Sequence, residues 1–580
     1  MKTRFSKRGL TTLTPLVLVL IGFACKDSFL NIPPTGTLSS AELTSTAGLQ
    51  STLMGAYAEL NGRDYGWFGS SFNWLWGSVT GGEANKGSNA GDQSTAVFVQ
   101  NFTIIPTTGP INDKWNAMYE GISRANTVLR VLKAPGPNVT SAIATNIGAQ
   151  ARFLRGHYYF ELKKTYSNTP YVDETMDYGS GVDQVTNQAD LWPKIEADFK
   201  YAYDNLPETQ DANGRANKWA AASYLAKVYL FQKKFTEAKA IFDLIIANGK
   251  TSTGQKYALV PEFTTLFNAA NSINSEAVFA IQNAANTGSV SNANPDMVLN
   301  FPFSGGPGSC CGFFQPTFEM ANSFRTNENG LPLLDGSYNT GANQLKTDQG
   351  LSSTDPFTPD AGRLDPRIDY SIGRRGIPYL DWGPHPGVNW IRDQTYGGPF
   401  APRKFVYPKS QEGAYQDGTG WTPGYTTINF NIIRYADVLL MAAEAEVELK
   451  NLETARGYVN QVRARAANPT VFIKNLDGTP AANYIIKPYT TPWNDQSTAR
   501  DAVRFERKLE LSGEGHRFFD LVRWGIADKA INAFLAYESG KLPGTYAGAK
   551  FTTNKNEYMP IPQQQIDLQG SSILKQNTGY

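Results

Sequence analysis

The chain has 580 residues, with 53 Lys+Arg against 52 Asp+Glu, 18% charged residues and 12% aromatics. A balance this close to neutral excludes a nucleic-acid binder, which needs a basic face or stripe. Three cysteines and three scattered histidines (His157, His385 and His516) exclude a disulfide scaffold and a zinc ribbon and argue against a His-rich metal site; no cofactor is expected, and loop acids without EF-hand spacing leave a bound calcium ion open.

The first element is a targeting segment. Lys2, Arg4, Lys7 and Arg8 form a basic start, and Leu16 to Ala24 form an apolar run. That run is too short to span a bilayer, which takes about 20 apolar residues, but has the length of a signal-peptide core. It ends on Gly22-Phe23-Ala24-Cys25, which resembles a loose bacterial lipobox. Residues 1–24 are therefore expected to be a lipoprotein signal peptide and Cys25 the acylated residue, the alternative being an ordinary signal peptide with a chance cysteine. Several acyl chains would make the anchor stable. The four basic residues leave with the signal, so the remaining chain is slightly acidic. No later stretch is long and apolar enough to cross a membrane.

Residues 26–40 read as a tether that ends in a helix start at Ser39 or Ser40, with Glu42 in the first turn. Helical patterning then dominates to about residue 250. Trp115, Met118, Tyr119, Ile122, Ala125, Val128 and Leu129 form one stripe at three- and four-residue steps. Ala151, Leu154, His157, Tyr158, Leu162 and Tyr166 form another, in which His157 reads as a satisfied core histidine. Ala226, Tyr229, Phe235, Ala238 and Phe242 sit at the spacing of a tetratricopeptide helix pair, and Ala443, Leu452, Ala455 and Val459 repeat four of these positions. Such pairs bury their faces only by stacking, which predicts a helical layer built from separated segments.

Between about 250 and 430 Gly and Pro crowd together with aromatics, the composition of long loops on a rigid scaffold, where binding usually resides. Helices are expected again at 432–466 and 498–535, followed by an extended Tyr558-Met559-Pro560-Ile561-Pro562 packed back on the body. Small-ligand recognition on such loops uses flat apolar faces with polar groups at the rim. Three loop sets supply them: Trp67, Trp74 and Trp76 with Glu83 and Asn85; Phe313 and Phe314; and Trp382, Trp390 and Arg392. Each tryptophan could instead anchor the core.

Several blocks in order carry a family resemblance: the tether Cys25-Lys26-Asp27-Ser28-Phe29-Leu30, Trp115…Tyr119…Ala125-Asn126, Ala151-Arg152-Phe153-Leu154-Arg155-Gly156-His157, Leu364-Asp365-Pro366-Arg367, Arg434-Tyr435-Ala436-Asp437, Glu506-Arg507-Lys508-Leu509-Glu510, Glu514-Gly515-His516-Arg517-Phe518-Phe519-Asp520 and Met559-Pro560-Ile561-Pro562. From Cys25 to its end the chain resembles the SusD/RagB family of outer-membrane nutrient-uptake lipoproteins. The resemblance implies a mainly all-α, SusD-like fold in which four tetratricopeptide-like helix pairs support a loop-rich ligand-binding face. It implies an N-terminal region over residues 25–290 and a C-terminal region over 291–580, packed as one body. It further implies a cell-surface protein, lipid-anchored in the outer membrane, that binds an oligosaccharide without cleaving it. The partner it implies is a SusC-like TonB-dependent transporter. Arg434, Asp437, Glu510, Arg517 and Asp520 are structural on this reading.

Two chemical alternatives stand beside it. Glu506, Glu510, Glu514, Asp520 and nearby Asp501 could hold a glycoside-hydrolase pair, but Arg507, Lys508, Arg517 and Arg523 among them favour ionised carboxylates and a salt-bridge network. A structural tetratricopeptide lipoprotein that binds other proteins is the other. In Gly308-Ser309-Cys310-Cys311-Gly312 the elbow spacing around Cys310 lacks a preceding strand, which argues against a thiol nucleophile. A vicinal disulfide and two free thiols both remain open there; across a trans peptide the Cα atoms would stand about 3.8 Å apart.

Overall fold

The computed structural model describes residues 39–62 and 65–580. The signal peptide, Cys25 and nearly all of the tether lie outside the described residues. Ser39 and Glu42 form a capping box: the Glu42 N–H donates to Ser39 Oγ at 3.2 Å and the Ser39 N–H to Glu42 Oε2 at 2.6 Å.

The fold is mainly helical. Its longer helices are α1 (Thr46–Ala58), α2 (Gly109–Val131), α3 (Ser141–Tyr166), α4 (Trp192–Asn205), α5 (Lys218–Phe231), α6 (Phe235–Asn248), α7 (Tyr435–Glu448), α8 (Leu452–Ala466), α9 (Gln496–Glu510), α10 (Arg517–Arg523) and α11 (Ala527–Lys541). The first eight stack in sequence order as the pairs α1/α2, α3/α4, α5/α6 and α7/α8, with α6 against α7 and α9 laid on α7 and α8. The stack is close because alanines occupy the crossings. Ala226, Ala238, Ala443 and Ala455 are fully buried, with Phe242 and Val459 filling the space beside them. Phe199 of α4 stacks on Tyr224 of α5 with ring centroids 4.6 Å apart. His157 is a core histidine, hydrogen-bonded to Ser71 Oγ at 2.8 Å and Tyr224 Oη at 2.6 Å. The stripe through Trp115, Met118, Ile122, Ala125 and Val128 faces the core as its spacing predicts. No helix among the described residues is long and apolar enough to cross a membrane.

Among the described residues six short strands form three antiparallel pairs. β1 (Ala84–Gly87) pairs with β3 (Phe313–Pro316), β2 (Ala277–Ile281) with β6 (Phe430–Arg434), and β4 (Ile372–Gly373) with β5 (Ala401–Pro402). The helix expected from residue 432 starts at Tyr435. Ile432, Ile433 and Arg434 are extended and pair with β2, as suits a β-branched run, and Arg434 occupies the N-cap position with φ −124° and ψ 164°. At the other end of the chain, the Met559 N–H donates to the Thr165 carbonyl and Ile561 is fully buried, so the closing segment packs on α3.

A buried ion network ties the halves of the helical layer together. Arg434 is bonded to Glu276, Glu510 and Glu514, each at 2.7 Å. Arg465 reaches Glu276 and Glu510, and Arg367 reaches Asp365, Glu506 and Glu510. Arg507 joins Asp437 to Asp520, and Asp437 also takes Lys227. Burial pushes the Glu510 carboxyl up, but the guanidiniums of Arg465, Arg434 and Arg367 outweigh it and hold it well below the usual range. Glu514 is held low in the same way by Arg434 and Lys404, and Asp520 by Arg507 and Arg523. None of these three is poised as a protonated acid.

Candidate ligand-binding site

Four loops meet on one face around the turn 301–312. The turn is compact because Gly306 lies flat on an indole: a Cβ there would come within 2.8 Å of the Trp390 ring. The Phe303 N–H donates to the Trp390 carbonyl at 2.8 Å, and Trp390 packs edge-on against Tyr379 and His385. Gly308 bridges outward, its N–H donating to Tyr407 Oη at 2.8 Å and its carbonyl accepting the Thr422 hydroxyl at 2.8 Å. Tyr407 in turn accepts the Trp382 indole N–H at its backbone carbonyl, at 3.0 Å. At the tip, Cys310 and Cys311 are joined as a disulfide, their Cα atoms 3.0 Å apart because the peptide between them is cis. Cys311 is buried and Cys310 half-buried.

This face offers rings and a charged rim. Trp421, next to Thr422, is 59% exposed and steadied by an indole hydrogen bond to Tyr425 Oη at 3.0 Å. Trp382 and Phe303 are half-buried. Arg392 lies over the Phe303 ring, its guanidinium carbon 5.3 Å from the centroid. It also donates to Ser88 Oγ at 2.8 Å and pairs with Asp92. Beneath them Lys86 donates to the carbonyls of Asn89 and Asp92, and burial pushes its ammonium down to about 8. Aromatic edges beside an arginine–aspartate pair form a surface that can stack on a ring and hydrogen-bond its rim.

Most of the other residues expected to touch a ligand are instead in the core. Trp74 and Trp76 are each 1% exposed, on a π-helical turn over 74–79. Their indole N–H groups are spent on the carbonyls of Trp67 and Phe68. Phe313 and Phe314 close on Trp74 edge-to-face at 6.2 and 5.8 Å. The turn sits tightly because Gly77 meets Gly515, whose carbonyl oxygen would lie 1.8 Å from a Cβ. Asn85 is buried in β1 with its amide on the Gly397 carbonyl. Trp67 is half-buried beside Trp74. The structure thus brings Trp382 and Arg392 to this face, buries Trp390 beneath the turn instead, and adds Phe303, Trp421 and Asp92. Only the glycine-flanked setting of Trp421 in Gly418-Thr419-Gly420-Trp421 could have signalled it.

Glu83 is also buried, at 4% exposure, its Oε2 accepting the Ser78 hydroxyl at 2.7 Å and the Gly513 N–H at 3.1 Å. Burial pushes its carboxyl up to about 7, against the lowering pull of those two bonds and of Arg517 and Lys404. The folded state therefore keeps a proton that the unfolded chain loses near pH 4.3, and stability falls as pH rises from roughly that value to about 7. Glu83→Gln keeps an acceptor oxygen and removes the ionisation. Relative to the parent protein it is expected to gain on the order of 2 kcal/mol between about pH 5 and about pH 8. Denaturant titrations at both pH values measure this, and parallel pH profiles would contradict it.

Residues 275–580 match the SusD family model, and residues 35–230 match a second model described as starch-binding associating with outer membrane. The chain belongs to the SusD family. It is 25% identical to the SusD-like protein P2 of Formosa agariphila, over 99% of this chain and 100% of that protein. A SusD superfamily crystal structure from Bacteroides vulgatus superposes with a TM-score of 0.66 at 21% identity, covering 92% of this chain and 99% of that one. Surface glycan-binding protein A from Bacteroides thetaiotaomicron, in complex with laminarihexaose, superposes with a TM-score of 0.62 at 21% identity, covering 92% and 99%.

Proposed function

We propose that this protein is a cell-surface lipoprotein, anchored in the outer membrane through Cys25, that captures an oligosaccharide on the 301–312 face. It then hands the ligand uncleaved to a SusC-like TonB-dependent transporter. The observation that carries the reading is that the loops joined around the 301–312 turn carry the exposed Trp421, the half-buried Trp382 and Phe303, and the Arg392–Asp92 pair. Affinity then comes from ring stacking and rim hydrogen bonds, with no covalent step. Two likenesses add to it: the starch-binding description of the matched N-terminal family and the laminarihexaose complex of a structural relative. Membership of an outer-membrane-associated family and the lipobox-like run before Cys25 support the anchor.

Against the hydrolase alternative, Glu506, Glu510, Glu514 and Asp520 are all held in buried ion pairs, and Asp501 stands exposed on α9. A soluble form beginning at Lys26, titrated calorimetrically with laminarin, starch and xylan oligosaccharides, is expected to bind at least one and release no shorter product. Absence of binding across such a panel, or appearance of cleavage products, would overturn the reading.

A further inference from the structure

A second cavity, of about 430 Å³, shares no lining residue with the loop face. It lies between the end of α1, the turn 212–215 that leads into α5, and the stretch from β2 to Asn292. Its size falls within the roughly 300–1,000 Å³ of ordinary small-molecule sites. Its apolar wall is Met54, the Tyr57 ring, Leu60 and Ile281. Tyr57 presents only its ring, since its hydroxyl already donates to Gln150 Oε1 at 2.9 Å and accepts the Ala216 N–H at 2.8 Å.

The polar part of the wall is fixed in place. Asn61 is 8% exposed, and its amide nitrogen is tied to the carbonyls of Ser291 and Ala293. Its Oδ1 is buried without a partner. This oxygen has no accessible surface in the empty cavity, so a ligand hydroxyl reaches it, and relieves a cost of about 1–3 kcal/mol, only when the wall opens slightly. Across the cavity Arg215 touches Asp211 only at 3.4 Å and Gln150 only at 3.5 Å, which leaves donor capacity on a mostly buried guanidinium. Gly214, at φ +74°, lies against the Gln282 side chain, where a Cβ would meet Cγ at 2.3 Å, so the 212–215 turn is held against the opposite wall. No carboxylate is among the lining residues.

We propose that this cavity is a second ligand site, taking one or two rings of a neutral sugar with an apolar ring face against Tyr57 and Leu60. One sugar hydroxyl donates to Asn61 Oδ1 and another accepts from Arg215. The class follows from the lining: hydroxyls satisfy both the lone acceptor and the free donor, and the absence of carboxylates gives a cation nothing to pair with. The site is independent of the loop face and does not rest on the function proposed for it.

Calorimetry on the soluble form beginning at Lys26, with laminaribiose, cellobiose, maltose and lactose as probes, tests this. In the Trp421→Ala background at least one disaccharide is expected to bind with one site per chain. Adding Ala58→Trp, which fills the cavity, or Arg215→Gln, which removes its donor, is expected to weaken that binding at least tenfold. Thermal melts check that each variant is folded, and Arg215→Gln, which adds no volume, covers the case where Ala58→Trp is not. Absence of binding by all four probes, or residual binding that neither addition weakens, would overturn the proposal. If Trp421→Ala changes nothing while Ala58→Trp and Arg215→Gln remove binding, the cavity stands and the loop-face reading falls.

Discussion

Replacing Arg434 with methionine is expected to cost about 3–5 kcal/mol of stability, the penalty for breaking a buried ion pair from one side. Arg434 is 1% exposed and holds Glu276, Glu510 and Glu514 at once, with two further hydrogen bonds to the Glu510 carbonyl and Glu514 Oε1. A total stability of about 5–15 kcal/mol leaves little after such a loss. The remaining cations, Arg465, Arg367 and Lys404, still face the same acids, so the excess is negative charge around Glu276 and Glu514. Glu514→Gln added to Arg434→Met is therefore expected to recover part of the loss, giving a coupling of at least 1 kcal/mol in a double-mutant cycle. Denaturant unfolding of the four proteins measures it. A loss below about 1 kcal/mol for Arg434→Met, or strict additivity, would show that the network is not holding the layer. The same cycle bears on catalysis: an enzyme acid would lose activity at Glu514→Gln in the parent background, whereas a structural acid loses only stability.

How much of this was legible in the sequence depends on the range of the interaction. The helices were legible because their signal is local: Trp115, Met118, Ile122 and Ala125 lie a turn apart, and the alanine spacing of α5/α6 recurs in α7/α8. The ion network was half legible. Alternating acids and bases after Glu506 announced pairing on α9, but Arg434 meets Glu276 over a separation of 158 residues, which no spacing encodes. The start of α7 was read three residues early because Ile432 and Ile433 fit either a strand or a helix until β2 is seen beside them. The ligand face was the least legible part. Trp74 and Trp76 sit among Gly, Ser and Asn and so read as loop residues, but a π-helical turn points both indoles inward. Arg392 reaches Asp92 across 300 residues, and Trp421 is brought to the face through Thr422 and Gly308. Aromatic composition told that rings were available. Only the tertiary contacts decide which of them meet solvent.

That distinction yields a pair of opposite outcomes. Trp421→Ala removes a ring that is 59% exposed and whose polar contact is a single bond to Tyr425. Its stability cost is expected to stay within about 0.5 kcal/mol, as for surface positions generally. If the ring stacks on the sugar as an interface anchor, its loss costs about 2 kcal/mol of binding, a weakening of roughly thirtyfold. Arg392→Ala should weaken binding as well, by removing a rim donor and releasing Asp92 and Ser88 from their present geometry. Trp74→Ala is expected to behave in reverse. It empties a site packed by Phe68, Phe313 and Phe314, so stability drops by about 3–5 kcal/mol. Any surviving folded protein should bind nearly as before, since the indole touches no solvent-facing surface. Calorimetric titration with the oligosaccharide selected from the panel, paired with thermal melts, separates the two. Unchanged affinity in Trp421→Ala would remove the loop face from consideration, because no other large ring on it is as open to solvent.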